Sequence, residues 1–326
     1  MKVLLVTKSD DNESVALVGS ALLELGAEPV RFDTDHYPPG IRLSRRTSND
    51  GRDGDLVIDG VRHALDEFDS VWHRRLAIGA RIPADMDAQL RGASLGEARR
   101  VLLGALAALD AFVLDPRERL ESSSNKEMQL DLAREVGLDV PRTLVSNDPD
   151  AVRAFADELG GAIVTKMMSS FAVYEEGREQ VVFTNPVTAA DLADLDGLRF
   201  CPMTFQETLR KSVELRVTVV GERVFAASID SQALDGSRHD WRREGTALME
   251  EWREYELPEG VRTGLLAMME RLGLNYGAAD FVVTPEGRCV FLEINPSGEF
   301  FWLERVPGFP ISRCLAEVLT GAVERR

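Results

Sequence analysis

The sequence predicts an α/β protein built from two or three packed subdomains, and three observations carry that expectation. The chain opens on a strand, helix, strand succession. Its C-terminal half holds β-rich segments joined by short turns. Its 326 residues exceed what one simple domain holds.

KVLLVT is an apolar, β-prone run, and SVALVGSALLELGA has helical apolar spacing with a trailing glycine. EPVRFDTD reads as a second strand, with Asp33 and Asp35 at its end, so the three segments predict the start of a parallel layer. The glycine fingerprint of dinucleotide sites is absent, which argues against NAD there. Residues 41–64 predict a hairpin-rich excursion around Asn49, Gly51 and Gly54, with LVIDGVRH as its clearest strand. DSVWHRRL resumes the sheet, a helix covers roughly 85–110, and AFVLDP supplies a strand ended by Pro116.

SSSNKEMQLDLAREVGL predicts a helix capped by its serines and stopped by Gly137 and Pro141. A new subdomain begins about there, with strands RTLVSN, AIVTKMM and QVVFTN and helices DPDAVRAFADELG and TAADLADL. FQETLRKSVELRVTVVGERVFAASIDSQ reads as three antiparallel strands, with Gly221 in a hairpin. GVRTGLLAMMERLGL predicts a helix, YGAADFVVTPEGRCVFLEINPSG a hairpin that turns at PEG, and ISRCLAEVLTGAVERR a closing helix. There is no internal repeat and no low-complexity linker.

The net charge of -17 disfavours nucleic acid as a partner, since phosphate contacts need a basic surface. No apolar run reaches the roughly 18 residues of a membrane span, and acidic residues follow MKVLLVTKSDD too early for a signal peptide, so a cytoplasmic protein is expected. Cys201, Cys289 and Cys314 lack paired or metal-like spacing and read as small core residues of a reducing compartment. His36, His63, His73 and His239 share no metal spacing either.

The segment ADFVVTPEGRCVFLEINPSG carries the most chemistry. Asp280 ends one strand; Glu293 and Asn295 stand two apart on the next, so period two puts both on one face. Three oxygen donors converging there suit Mg²⁺, which is held by one or two carboxylates together with nucleotide phosphates. A polar sheet face explains the pattern equally well until Glu293 is considered, because among apolar neighbours a carboxylate needs a partner. Lys126 opens a helix, where backbone N–H groups and a cation together attract phosphate. Lys166 ends the apolar strand AIVTK; each lysine by itself reads more readily as a solvated surface residue, and the two gain weight only together with the metal face.

NK at 125–126, the strand lysine at 166, FQE at 205–207, ELRVTVVG at 214–221 and D280…FLEINP resemble the nucleotide and Mg²⁺ motifs of the ATP-grasp superfamily. WHRR at 72–75, SIDSQ at 228–232, DWR at 240–242 and EINPSGEFFWLE at 293–304 are similar to the microviridin-type, or graspetide, ligases that macrocyclise ribosomal peptides. The resemblance implies an ATP-grasp fold with a Rossmann-like pre-ATP-grasp domain at residues 1–118, a central lid at 119–204 and an antiparallel catalytic platform at 205–326. It implies ATP and Mg²⁺ as cofactors. Lys126, Lys166 and Ser169 would meet the phosphates, Gln206 and Glu207 the adenine, and Glu214 the ribose. Asp280, Glu293 and Asn295 would hold Mg²⁺, and Arg216 would steady the transferred phosphoryl group. The loop MMSSFAVYEEG departs from the family's glycine-rich lid, since Gly177 is its single glycine; Ser169 and Ser170 would donate there instead.

The acceptor side is written in arginine. Arg74, Arg75 and Arg242 fit bidentate recognition of a precursor peptide rich in Asp and Glu, although Arg74 and Arg75 also fit a structural ion-pair network. Trp72 and Asp240 join the expected substrate site, Trp72 with packing as its plainer role. Asp230 and Arg242 join Arg216 as expected catalytic groups, with Asp230 orienting or deprotonating the nucleophile. The partner implied is a precursor peptide with a leader and an acidic core, with no nucleic acid or membrane; the resemblance also implies a homodimer. Two rival readings fit the same ATP motifs: a ligase that adds a free amino acid to a protein tail or joins metabolites, and an inactive peptide-binding relative.

Overall fold

The computed structural model describes residues 1–166, 172–175, 178–181, 184–230 and 249–326. The first layer is a parallel sheet in the order β2-β1-β6-β7, made of β1 (Lys2–Thr7), β2 (Glu28–Asp33), β6 (Ser70–His73) and β7 (Phe112–Leu114). Alternation along β1 explains its two coats: Val3 and Leu5 face α1 (Ser14–Glu24), while Leu4 and Val6 face α2 (Ala88–Ala107). Between β2 and β6 a small sheet of β3 (Arg42–Ser48), β4 (Gly51–Ile58) and β5 (Val61–Ala64) adds Leu56 and Ile58 to the second coat. LVIDGVRH is therefore a hairpin and not one strand. Asp59 and Gly60 both have positive φ, 50° and 82°, as a two-residue turn of mirror-image type requires.

The central sheet runs β12-β9-β13-β8, from β8 (Thr143–Ser146), β9 (Ile163–Lys166), β12 (Asn185–Pro186) and β13 (Met203–Glu207). Helix α5 (Pro149–Glu158) covers it through Val152 and Ala156, packed on Ile163 and Phe205. β10 (Ala172–Glu175) and β11 (Arg178–Val181) form a separate hairpin. FQE thus belongs to the central sheet and not to the antiparallel group that follows it in sequence, and the expected boundary at 204/205 falls inside β13. α6 (Ala189–Ala193) carries a capping box between Thr188 and Asp191.

The third sheet is antiparallel, in the order β16-β15-β14-β17-β18: β14 (Val213–Val220), β15 (Arg223–Ile229), β16 (Arg253–Glu254), β17 (Tyr276–Val283) and β18 (Cys289–Asn295). One face, with Leu215, Val217, Val219, Ala279 and Phe281, packs on α4 (Lys126–Glu135) and α7 (Glu259–Leu272). The opposite face carries Arg216 and Asp280 and, at the far end, Val220 and Tyr276. Those two join α9 (Ile311–Thr320) and α1 in a core shared with the parallel sheet. The closing helix stops at Gly321, short of the expected end.

α3 (Arg117–Ser123) precedes α4, and α8 (Phe301–Arg305) follows β18. The serines expected to cap α4 lie at the end of α3; Asn125 is the cap, its side chain accepting from the backbone N–H groups of Glu127 and Met128. Cys289 and Cys314 are buried as expected, whereas Cys201 is exposed. Among the described residues no helix is long and apolar enough to cross a membrane.

Candidate active site

Register builds the centre of the site. Arg216 on β14 stands opposite Asp280 on β17, and Asp280 stands opposite Glu293 on β18. A β-bulge then does what simple alternation cannot. Phe281 pairs with Phe291 and Asp280 with Glu293, so Leu292 is the extra residue. Phe291 and Ile294 face the apolar core, although period two alone would put Phe291 and Glu293 on the same face. The bulge turns Glu293 and Asn295 over to the side of Asp280.

Arg216 Nη1 donates to Asp280 Oδ1 at 2.9 Å, and Arg216 Nη2 donates to the Glu299 carbonyl at 3.2 Å. Its guanidinium also lies 5.7 Å from the Trp302 ring centre. Only 6 % of Arg216 is exposed, so these contacts are made away from bulk water, where each is stronger. Its Nε is buried without an acceptor among the described residues.

Lys126 Nζ lies 2.7 Å from Glu293 Oε2. α4 is held there by Gln129, one turn further on. Its side chain donates to the Ile294 carbonyl and accepts from the Ile294 N–H, both at 2.8 Å, so it completes the outer edge of β18 as a neighbouring strand does. Sequence reading passed over Gln129; its signal was a polar residue at i+3 from Lys126 on the buried stripe of the helix.

Two carboxylates directly opposite each other, with an amide oxygen on the same face, are hard donors of the kind Mg²⁺ takes. Asn295 Oδ1 also accepts from the Ser297 N–H at 2.9 Å, which orients it. Among the described residues no group of three or more His, Cys, Asp and Glu gathers as a metal site. The set therefore fits a cation that brings further oxygen ligands with it, as a magnesium-bound polyphosphate does.

The nucleotide-side expectations fall on the central sheet and its exit. Lys166 ends β9 opposite Thr204. Gln206 Nε2 donates to Thr143 Oγ1 at 2.9 Å, and Glu207 Oε1 accepts from the Arg142 N–H at 3.0 Å, which fixes both strand-end side chains. Glu214 is buried and lies 3.1 Å from Lys211 Nζ. Asp230 is exposed, one residue past the end of β15. Ser169, Asp240 and Arg242 lie outside the described residues.

The N-terminal contribution meets the same centre from the carboxyl ends of β1 and β6, where the parallel sheet reverses its winding and α/β proteins place ligands. Arg74 Nη1 donates to the Ser297 carbonyl at 2.5 Å; Arg75 Nη2 bonds the Glu299 carboxylate, and Arg75 Nε lies 3.2 Å from Asp11 Oδ1. Arg74 Nε stands 3.6 Å from Asp11 Oδ2, beyond hydrogen-bond reach. Burial lowers the Arg74 pKa, and the nearby Asp11 and Glu299 oppose that effect. Trp72 is 3 % exposed within the core that joins the sheets, so the structure gives it a packing place and not a surface one.

Tyr276, Gly298 and Glu299 border the candidate site beside Arg216, and sequence reading left them without a role. The buried Tyr276 hydroxyl donates to the Gly298 carbonyl at 2.7 Å, and burial pushes its pKa up to about 12. Gly298 admits no side chain: a Cβ there meets Ala278 Cβ at 2.4 Å and Arg216 Nη2 at 3.2 Å.

Residues 2–121 match the family model of the MvdD pre-ATP grasp domain. The fold is similar to that of macrocyclase MdnC from Microcystis aeruginosa MRC, solved with precursor peptide MdnA, at 45% identity and a TM-score of 0.90, covering 98% of this chain and 100% of that one. It is also similar to a RiPP-associated ATP-grasp ligase of Chryseobacterium gregarium, solved with ADP and a leader and core peptide, at 37% identity and a TM-score of 0.95, covering 99% and 98%. A more distant relative is a probable alpha-L-glutamate ligase of Teredinibacter turnerae, 25% identical over 215 residues, which are 65% of this chain and 68% of that protein.

Proposed function

The chain belongs to the RiPP-associated ATP-grasp ligases, and from that premise we propose that it closes rings in a ribosomally made precursor peptide. ATP would activate Asp or Glu side chains of the peptide, and Thr, Ser or Lys side chains of the same peptide would attack them, giving ω-ester or ω-amide crosslinks. The observation that carries this reading is the pairing of opposite charges at the end of one sheet: Arg216 against Asp280, Asp280 opposite Glu293, and Lys126, from the start of α4, against Glu293. Two cations and two carboxylates so paired match a magnesium-bound triphosphate and the charge that moves during phosphoryl transfer.

The substrate carboxylate attacks the terminal phosphorus and ADP leaves. The hydroxyl or amine then attacks the acyl carbon, its proton departs, and phosphate carries away the carboxylate oxygen. Asp280, Glu293 and Asn295 would hold Mg²⁺, which when bound offsets charge on the phosphate oxygens. Lys126 and Lys166 bind phosphate oxygens, Ser169 donates to them, Gln206 and Glu207 border the adenine, and Glu214 meets the ribose. Arg216, already held by Asp280, faces the group in transfer. Arg75, whose side chain is 37 % exposed, is the arginine of the pair that substrate carboxylates can reach, in exchange for its contacts with Asp11 and Glu299. Asp240 and Arg242 extend that acceptor side, and Asp230 orients the nucleophile. Holding both reacting side chains of one peptide makes ring closure effectively intramolecular. The leader docks apart from the reacting centre, and a second copy of the chain completes a homodimer in the cytoplasm.

Product mass decides the reaction. With MgATP and a precursor whose core combines Thr, Ser or Lys with Asp or Glu, each crosslink removes one water from the peptide. A mass gain equal to an added amino acid would instead make the chain a glutamate-ligase-like enzyme. ADP release with unaltered peptide mass would rule out both.

A further inference from the structure

The three residues that follow Pro296 form a strap whose consecutive carbonyls are each taken by a different element. Arg74, from the end of β6, donates to the Ser297 carbonyl. Tyr276, from the start of β17, donates to the Gly298 carbonyl. Arg216, from β14, donates to the Glu299 carbonyl. The Glu299 side chain leaves in the other direction and bonds Arg75. We infer that this strap is an aiming device: Arg74 and Tyr276 are positioning residues that set the Ser297–Glu299 backbone, and the backbone sets the guanidinium of Arg216.

Three facts favour aiming over simple packing. The first is that Arg216 sits on a strand, so its Cα is fixed by the sheet while its long side chain is not; the fork is held by Asp280 at one terminal nitrogen and by the strap at the other. Losing the second contact lets the fork turn about the first. The second is the close approach at Gly298, where even a methyl group would press on Arg216 Nη2. The third is cost: Tyr276 is 4 % exposed and its hydroxyl finds its partner in the Gly298 carbonyl, while Arg74, 5 % exposed, has Nη1 bonded to the Ser297 carbonyl and Nε and Nη2 buried without hydrogen-bond partners among the described residues, an expense that calls for a role. The strap also joins the parallel sheet to the antiparallel one, so the aim of Arg216 depends on how those two layers meet.

The inference rests on reading Arg216 as the group that meets the transferred phosphoryl, and its test separates the two. The full chain is loaded with MgADP and titrated with inorganic phosphate as the stand-in for that group, in wild type, Arg216→Lys, Tyr276→Phe and Arg74→Lys. Thermal melting is recorded alongside. Arg216→Lys is expected to weaken phosphate about 10-fold or more, the worth of a hydrogen bond to a charged group, and Tyr276→Phe about 3- to 10-fold, the worth of one between neutral groups, with MgADP affinity unchanged in Tyr276→Phe. Arg74→Lys keeps a donor toward Ser297 and is expected to fall between wild type and Tyr276→Phe. If Arg216→Lys weakens phosphate while Tyr276→Phe binds it as wild type does and merely melts earlier, the strap is structural and the inference is overturned. If Arg216→Lys, or wild type itself, shows no phosphate effect, the reading of Arg216 fails and takes the inference with it.

Discussion

Arg216 and Asp280 form a cross-strand pair on β14 and β17, bonded Nη1 to Oδ1 at 2.9 Å, with their side chains 8 % and 16 % exposed. In so dry a place each charge needs the other. The same pairing that keeps the sheet intact therefore holds the expected phosphoryl-binding cation beside an expected metal-binding carboxylate.

Arg216→Ala leaves the Asp280 carboxylate buried without its cation and is expected to lower unfolding free energy by about 3 kcal/mol. Arg216→Lys restores the charge and most of the stability, yet not turnover, because an ammonium does not span Asp280 and the Glu299 carbonyl as the fork does. Urea unfolding and crosslink formation, measured on both variants, check the split; recovery of both by lysine would reject it.

Gly298→Ala puts a methyl group against Ala278 and is expected to cost about 1–3 kcal/mol through overpacking. Adding Ala278→Gly removes the 2.4 Å contact, so the double variant is expected to melt closer to wild type than Gly298→Ala does. A double variant that melts lower still contradicts the packing account.

Glu293→Gln keeps shape and removes charge from the partner of Lys126. The Mg²⁺ concentration that half-saturates the enhancement of ADP binding is expected to rise about 10-fold, the effect of losing one charged ligand from a weakly held hard cation. Binding of ADP without Mg²⁺ is expected to hold or tighten, since Lys126 is released toward phosphate. Calorimetric titration of ADP across a magnesium series reads both, and an unmoved midpoint removes Glu293 from the metal site.

His73 supplies a pH dependence. Burial, with the nearby Arg117, lowers its pKa from the ordinary 6.5 to about 4. The unfolded chain thus takes up the proton first as pH falls. The stability tied to neutral His73 is complete above pH 6.5 and is lost progressively down to about pH 4. After allowance for its partial exposure this amounts to about 2 kcal/mol. His73→Gln is expected to lose that much less stability than wild type between pH 7 and pH 4; parallel pH profiles would contradict the assignment.

Much of the fold was legible along the chain because it rests on local periodicity and local turn chemistry. KVLLVT, the two helices that flank the parallel sheet and the PEG hairpin lie where spacing put them. Where a short signal was overlooked, as with Asp59-Gly60 or the Asn125 cap, the chemistry was in the letters all the same. The assignment of FQE to a sheet was not. β13 pairs with β8 and β9, both far upstream, and no pattern within a strand names its partner.

The candidate site divides along the same line. Glu293 could be chosen from sequence because a carboxylate among apolar neighbours needs a partner, whereas Lys126, ordinary by itself, was chosen through its company with Asp280, Glu293 and the ATP-grasp motifs. Their meeting belongs to the tertiary structure. The contact of Arg216 with Asp280 spans 64 residues of sequence and that of Arg74 with Ser297 spans 223. The facing of Glu293 depends on a bulge at Leu292 that the alternation of β18 does not announce. Residue types determine which groups need a partner; strand register, bulge position and the docking of one sheet on another decide which partner each receives, because those are settled by packing summed over the whole chain.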